Sequence, residues 1–121
     1  ATDFGDLSAT RNEVSGVSSG VRGVFGGGYE SPTRVNKIEY ITIASTGDVT
    51  DFGDLTSARY DFAPASNSTR GLFAGGAAPG VSNIIDYITI ASAGDAADFG
   101  DLTAVRRGIV GNSDSHGGLQ A

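Results

Sequence analysis

The chain has 121 residues, a formal net charge of −6, and no cysteine, methionine or tryptophan. The acidic balance disfavours binding to nucleic acid, because phosphate recognition needs a basic surface. The lack of cysteine excludes disulfides and thiolate metal sites. The sequence contains no run of 18 apolar residues, so no membrane span is predicted.

The sequence repeats itself with a period of 47 to 48 residues. Residues 36–59 align without a gap to residues 83–106, with 17 of the 24 positions identical. A period of this length indicates a solenoid, a propeller or an array. A unit this short is near the size at which a hydrophobic core becomes marginal, so we expect the units to pack on each other. The phrase Asp-Phe-Gly-Asp-Leu begins at Asp3, Asp51 and Asp98, and Tyr-Ile-Thr-Ile-Ala-Ser begins at Tyr40 and Tyr87.

Turn residues divide each unit into four predicted strands. Glycine, proline and aspartate cluster at the junctions, as in Gly26-Gly27-Gly28 and Pro79-Gly80. No segment has apolar residues at helical spacing, and each interior glycine would cost a helix about 1 kcal/mol relative to alanine. An all-β fold is therefore predicted. In chain order, strands are expected at residues 3–7, 12–17, 23–25, 37–45, 51–55, 60–65, 71–74, 84–92, 98–102, 107–112 and 117–121.

The third strand of each unit indicates the architecture. Tyr40 and Thr42 point to one face of this strand and Ile41 points to the other, so neither face is clearly polar. A strand with this pattern is covered on both faces. Four-stranded blades that pack face to face in a β-propeller provide such cover. We therefore expect one repeat domain, divided into an outer strand of a shared blade (1–11), two blades (12–58, the first unit, and 59–105, the second unit) and a partial blade (106–121).

The units resemble the kelch repeat. A kelch blade has a hydrophobic strand that ends in a glycine doublet, then a strand with a tyrosine, then an outer strand with a large aromatic residue. The resemblance implies a propeller of four-stranded kelch-like blades. The residues that carry it are Val24-Phe25-Gly26-Gly27 and Leu72-Phe73-Ala74-Gly75-Gly76 for the doublet, Tyr40 and Tyr87 for the tyrosine, Phe52 and Phe99 for the aromatic, and Arg11, Arg59 and Arg106 before the innermost strand.

The repeated sequence Asp-Phe-Gly-Asp-Leu-Thr, followed by an arginine, also resembles repeats in structural proteins of marine bacteriophages. That resemblance implies a virion or extracellular location. A propeller closes with four to eight blades, whereas this chain supplies about two and a half by the strand count above. We therefore expect a symmetric homo-oligomer in which two or three chains complete one ring.

Recurrent arginines are candidate ligand-binding residues. Arg11, Arg59 and Arg106 repeat with the period, and in a closed ring they would form a circle of guanidinium groups. Such a circle could bind an anion or an acidic sugar, because arginine offers planar, bidentate donors. The alternative is an arginine–aspartate bridge between neighbouring blades, with Asp54 or Asp101 as the partner.

A loop that differs between the two units offers a second candidate site. Tyr29 and Arg34 lie in this loop, and the second unit has no tyrosine or arginine in its corresponding loop. Loops at one end of a scaffold often carry its binding residues. Tyr29 and Arg34 would suit contact with a carbohydrate or a protein.

Other motifs predict no chemistry. Aspartates such as Asp48, Asp51 and Asp54 could ligate Ca²⁺, but the EF-hand spacing is missing and turn capping is the favoured interpretation. The single histidine, His116, has no partners for a hydrolytic triad. Asp-Phe-Gly occurs without the other kinase motifs. We predict no metal, no cofactor and no enzymatic activity.

The predicted function is that of a non-enzymatic structural or recognition module that forms an oligomeric propeller, associated with a virion or its tail. The alternative is a carbohydrate-binding lectin with sites on or between the blades. The expected partners are copies of the chain itself, glycans or other virion proteins, and neither nucleic acid nor a membrane is expected among them.

Overall fold

The computed structural model describes residues 1–111, which form two four-stranded antiparallel sheets and two short hairpins. The prediction of an all-β fold is confirmed, since every regular element in this range is a strand. Within the same range, no helix has the length and apolar character needed to cross a membrane. The strand predicted at residues 117–121 and His116 lie outside the described residues.

The first sheet is an antiparallel meander with a hairpin inserted at its middle connection. The hairpin pairs Tyr29 with Arg34 and comes between the second and third strands of the sheet in chain order. In spatial order the sheet consists of β1 (Ser15–Ser18), β2 (Arg22–Gly26), β5 (Lys37–Thr42) and β6 (Thr50–Asp54), and the hairpin consists of β3 (Tyr29–Glu30) and β4 (Thr33–Arg34).

The second sheet has the same order of strands and the same inserted hairpin. Both sheets also have an irregular register between the third and fourth strands, after Ile38 in the first and after Ile85 in the second. In spatial order the second sheet consists of β7 (Ala63–Ser66), β8 (Arg70–Ala74), β11 (Ile84–Thr89) and β12 (Ala97–Asp101), with the hairpin β9 (Ala77–Ala78) and β10 (Gly80–Val81).

The first strand of each sheet begins three residues later than predicted. Asn12 and Tyr60, the predicted first residues, instead bridge to the inserted hairpins, at Tyr29 and Ala77 respectively. The hairpins themselves were not predicted, because two-residue strands are too short to show an alternating pattern. The predicted strand at residues 3–7 does not join a sheet either, and its contacts are described below.

The hydrophobic core lies between the two sheets. The sheets approach most closely at β1 and β7. Polar links cross the same interface, from Ser15 Oγ to the Phe62 carbonyl oxygen at 2.8 Å and from Arg22 Nη1 to the Ile90 carbonyl oxygen at 3.0 Å. Because each unit contributes about half of the apolar residues, the core depends on the pairing of the units. Its members are Val17, Val24, Ile38, Phe52, Leu55, Phe62, Phe73, Ile88, Ile90 and Ala96.

Glycine doublets allow the chain to cross closely over the ends of β2 and β8. Gly27 has a φ of 58°, and a Cβ there would lie 2.5 Å from the Arg59 carbonyl oxygen. Gly75 has a φ of 72°, and its Cβ would lie 2.5 Å from the Arg106 carbonyl oxygen. Glycine suits these positions because it adopts a positive φ readily and has no Cβ that would clash with the carbonyl oxygen. These doublets lie at strand ends, as predicted, and they also allow successive segments to pack closely.

Candidate functional site

The Arg59 side chain is fully buried and is held by the second unit. Its Nη1 donates hydrogen bonds to the carbonyl oxygens of Gly75 and Ile84, and its Nη2 lies 2.7 Å from Asp86 Oδ2. The Asp86 carboxylate is buried as well and also accepts hydrogen bonds from the amide and hydroxyl of Thr56, at 3.1 and 2.6 Å. A buried charge needs this kind of pairing, because desolvation of an isolated ion is costly.

Arg11 occupies the equivalent position on the first unit. Its side chain is buried, and Nη1 donates to the Gly27 and Lys37 carbonyl oxygens at 3.0 and 3.4 Å. Its Nη2 forms an ion pair with the Glu39 carboxylate. Arg11 and Arg59 thus bind the same set of groups, namely two backbone carbonyls and an acidic residue on the third strand of the sheet that follows them in the chain.

These contacts match the bridge alternative in kind but not in its acidic partner. Asp54 and Asp101 are exposed at the ends of β6 and β12, whereas Glu39 and Asp86 are buried on β5 and β11. Because the guanidinium groups of Arg11 and Arg59 face the interior, the contacts weigh against a circle of arginines that binds an anion. Arg106, the third copy, is exposed.

The hairpin patch, which we define as Tyr29, Arg34 and Tyr60, is the accessible part of the predicted site. Tyr29 and Arg34 are opposite each other on β3 and β4. The Tyr29 ring packs edge-on against Tyr60, with 5.8 Å between ring centroids and an interplanar angle of 62°. All three residues are half-buried. The pairing of Tyr29 with Tyr60 joins the two units and was not predicted, because it depends on how the units pack.

Ion pairs fix the hairpin that carries the patch. Glu30 Oε1 accepts a hydrogen bond from Lys37 Nζ at 3.1 Å and lies 3.9 Å from Arg11 Nε. Among residues 1–111, the ion pairs involve Arg11, Lys37 and Arg59 but not Arg34. The Arg34 guanidinium therefore retains its donors for another group.

The repeated aspartates bind backbone amides. Asp48 Oδ1 accepts from the Asp6 amide and Asp95 Oδ1 accepts from the Asp54 amide, each at 3.0 Å. Asp98 Oδ1 caps its own turn at the Gly100 amide. Two of these aspartates therefore connect a turn to the preceding copy of the Asp-Phe-Gly-Asp-Leu phrase instead of to the turn's own backbone. No group of acidic or histidine side chains in the described part of the chain could hold a metal ion.

The chemistry that the hairpin patch offers is recognition. Aromatic rings stack on apolar faces, and a guanidinium group donates paired hydrogen bonds to oxygen atoms. No protein-family model matches the chain, and a search of the curated proteins also gives no match.

Proposed function

We propose that the chain is a non-enzymatic structural or recognition module, and that copies of it assemble into a propeller whose four-stranded kelch-like blades are the two sheets described above. Two or three chains would complete each ring. The function of the assembled module would be to join subunits and to present the hairpin patch, on a virion or its tail. One observation supports this proposal. Residues buried between the two sheets have equivalents in the other unit that lie on the outer faces of the sheets.

Equivalent residues differ sharply in exposure, and the difference follows the position of the neighbouring unit. Phe52 is 3% exposed beneath the second unit, whereas its counterpart Phe99 is 51% exposed. Ile90 is fully buried, whereas its counterpart Ile43 is 46% exposed. Exposed aromatic and aliphatic side chains on a face with this pattern are typical of an interaction surface.

A pair of equivalent arginines follows the same pattern. Arg22 stacks over Tyr40 and donates a hydrogen bond to the Ile90 carbonyl oxygen of the other unit. Its counterpart Arg70 stacks over Tyr87 in the same way but is exposed. A further unit placed beside the second sheet would offer Arg70 the carbonyl that Arg22 already has.

The mass of the protein in solution tests the proposal. We expect light scattering to give two or three times the 12.2 kDa of one chain at high concentration. Phe99→Asp should reduce the mass to that of one chain, because it places a charge on the interface. Val21→Asp, which introduces the same charge at an exposed turn residue, should leave the mass unchanged. A wild-type chain that remains a 12.2 kDa monomer at every concentration would contradict the ring.

The second candidate function, a carbohydrate-binding lectin, is supported by the hairpin patch. Tyr29, Tyr60 and Arg34 combine aromatic surface with a guanidinium that has no ion-pair partner in residues 1–111. Carbohydrate recognition uses such a combination, since sugar rings present apolar faces and hydroxyl oxygens.

A glycan array tests the lectin function. If a glycan binds at this patch, Tyr29→Ala and Arg34→Ala should each weaken its binding about tenfold or more, which corresponds to about 1.4 kcal/mol. Arg107→Ala, which removes an exposed arginine outside the patch, serves as the control and should have no effect. Failure to bind any glycan, or equal binding by all three variants, would exclude this function for the patch.

A further inference from the structure

Two segments of the chain have almost the same sequence but different surroundings. We call residues 3–11 the N-terminal segment and residues 98–106 the C-terminal segment; seven of their nine positions are identical. A third copy, residues 51–59, contains most of β6 and the link to the second unit, and it shows the contacts that this sequence makes when a further unit packs against it.

The internal copy connects the first unit to the second. The carbonyl oxygen of Phe52 accepts a hydrogen bond from the Gly94 amide at 2.6 Å, and that of Asp54 accepts from the Ala96 amide at 2.8 Å. Gly53 lies so close that an added Cβ would be 2.4 Å from the Gly94 carbonyl oxygen. Arg59, the last residue of the copy, enters its buried pocket beside Asp86.

The N-terminal segment makes the same contacts with the first unit. The carbonyl oxygens of Phe4 and Asp6 accept hydrogen bonds from the Gly47 and Val49 amides at 2.7 and 3.1 Å. Arg11 enters the pocket beside Glu39. The segment thus occupies the position that the outer strand of a preceding unit would take.

The N-terminal segment covers the first unit only in part, because residues 1–11 form no sheet of their own. A groove of about 620 Å³ lies between this segment and the outer face of the first sheet. Val14, Phe25 and Ile41 line the groove, and their counterparts in the second unit, Phe62, Phe73 and Ile88, are buried in the core. A whole sheet placed against this face would bury it in the way that the first sheet buries the second unit.

The C-terminal segment carries the same groups but lacks the matching contacts among residues 1–111. Gly100 has the same φ as Gly53, 146°, yet nothing lies within 4 Å of a Cβ added there. Phe99 is half exposed, and Arg106 is exposed. This segment therefore has the form of the connecting copy, but no further unit packs against it within residues 1–111.

We propose that the C-terminal segment of one copy replaces the N-terminal segment of a second copy, so that Arg106 pairs with Glu39 of that second copy. Residues 3–11 are then an intramolecular competitor that limits head-to-tail association. The proposal rests on the proposed function, because the assembly that this competition controls is the propeller ring. The exchange keeps the backbone hydrogen bonds and the ion pair, and it adds the burial of Phe99 and Ile43.

Residues after Arg106 also oppose the association. The Gly108 amide donates to the Asp61 carbonyl oxygen at 3.0 Å, and Gly111 lies against the Pro64 carbonyl. Residues 107–111 thus lie beside the start of β7, where β1 of a docked copy would be placed. They have to move aside, so the association replaces two internal contacts and depends on the protein concentration.

Introduced cysteines test the docked geometry, because the chain has none of its own. Asp54 and Asp95 meet within one chain, with the Asp54 amide 3.0 Å from the Asp95 carboxylate. Asp101 of one copy and Asp48 of another would meet in the same way. We expect oxidised Asp48→Cys/Asp101→Cys protein to form a ladder of disulfide-linked multimers, and the control Asp54→Cys/Asp95→Cys to close within single chains. Monomers alone in the first variant, with closure in the control, would overturn the proposal.

Variants of the two segments test the competition. Phe4→Ser/Leu7→Ser weakens the N-terminal segment and should lower the concentration at which the chain associates by about tenfold or more, as measured by sedimentation. Addition of Arg106→Ala should reverse that shift, whereas Arg107→Ala should not. An unchanged midpoint in the first variant, or an Arg106→Ala variant that associates as well as its parent, would overturn the exchange.

The two proposals fail in different ways. If the wild-type chain forms rings that Arg106→Ala does not weaken, the ring stands and the exchange is wrong. If the wild-type chain stays monomeric while Phe4→Ser/Leu7→Ser associates through Arg106, the exchange stands and the ring of the unmodified chain is wrong.

Discussion

Replacement of Arg59 with alanine is expected to lower the free energy of unfolding by about 3 to 5 kcal/mol. The guanidinium and the Asp86 carboxylate are both fully buried and 2.7 Å apart, so the substitution leaves a carboxylate in the interior without its cation. It also removes the donors that satisfy the Gly75 and Ile84 carbonyl oxygens. Denaturant unfolding, monitored by circular dichroism, measures the loss.

Arg106→Ala is the matched control for this prediction. Arg106 is the next copy of the same arginine but is exposed in the single chain, so its substitution should change stability by about 0.5 kcal/mol or less when measured where the chain is monomeric. Arg59→Met/Asp86→Leu, which removes both charges and keeps apolar volume, should recover much of the loss. Equal losses for Arg59→Ala and Arg106→Ala would show that the buried ion pair does not stabilise the fold.

Phe52→Ala is expected to cost about 3 to 5 kcal/mol, the usual range for removal of a buried phenylalanine. Its ring is buried in the core between the sheets and packs edge-on against Tyr40, with 5.9 Å between centroids. The loss should appear as a lower denaturant midpoint without a change in slope, because the extent of unfolding is the same.

The counterpart Phe99→Ala should cost less than about 1 kcal/mol when measured where the chain is monomeric. Phe99 lies in the same five-residue phrase and packs on Tyr87 at 6.0 Å, much as Phe52 packs on Tyr40. The two substitutions therefore share their local contacts and differ in the presence of a covering unit. A similar cost for both would mean that the covering unit adds little stability.

The secondary structure was largely predictable because local signals determine it. Glycine clusters such as Gly26-Gly27-Gly28 end the strands, and apolar segments such as 37–45 have the composition of buried strands. The third strand ends at Thr42 instead of residue 45, since the Ser45 amide bonds to the Thr42 carbonyl in a turn. Strand ends depend on such individual bonds, which composition does not specify.

The partners of the arginines could not be predicted from sequence proximity. Asp54 and Asp101 lie near Arg59 and Arg106 along the chain, but Arg59 reaches forward to Asp86 on the third strand of the second sheet. One signal in the sequence was available: both units place an acidic residue, Glu39 or Asp86, between an isoleucine and a tyrosine in the third strand. A charge at a buried position requires a paired cation, and a recurrent arginine supplies it.

The hairpin patch was predicted in part. The difference between the two units identified Tyr29 and Arg34 as a separate surface, but Tyr60 joins them only because the second unit begins beside the hairpin of the first. Contacts between units depend on the relative placement of the sheets, and no local pattern encodes it.

The glycine in each Asp-Phe-Gly phrase has a consequence for the speed of assembly. Gly5, Gly53 and Gly100 have φ values of 149°, 146° and 146°, although only the first two have a neighbouring loop against them. The backbone at Gly100 is therefore preorganised in the conformation that an incoming module requires, and little conformational entropy remains to be lost there on contact. The barrier to association should then come from the release of residues 3–11 and 107–111, and association should accelerate with temperature as these residues detach more often.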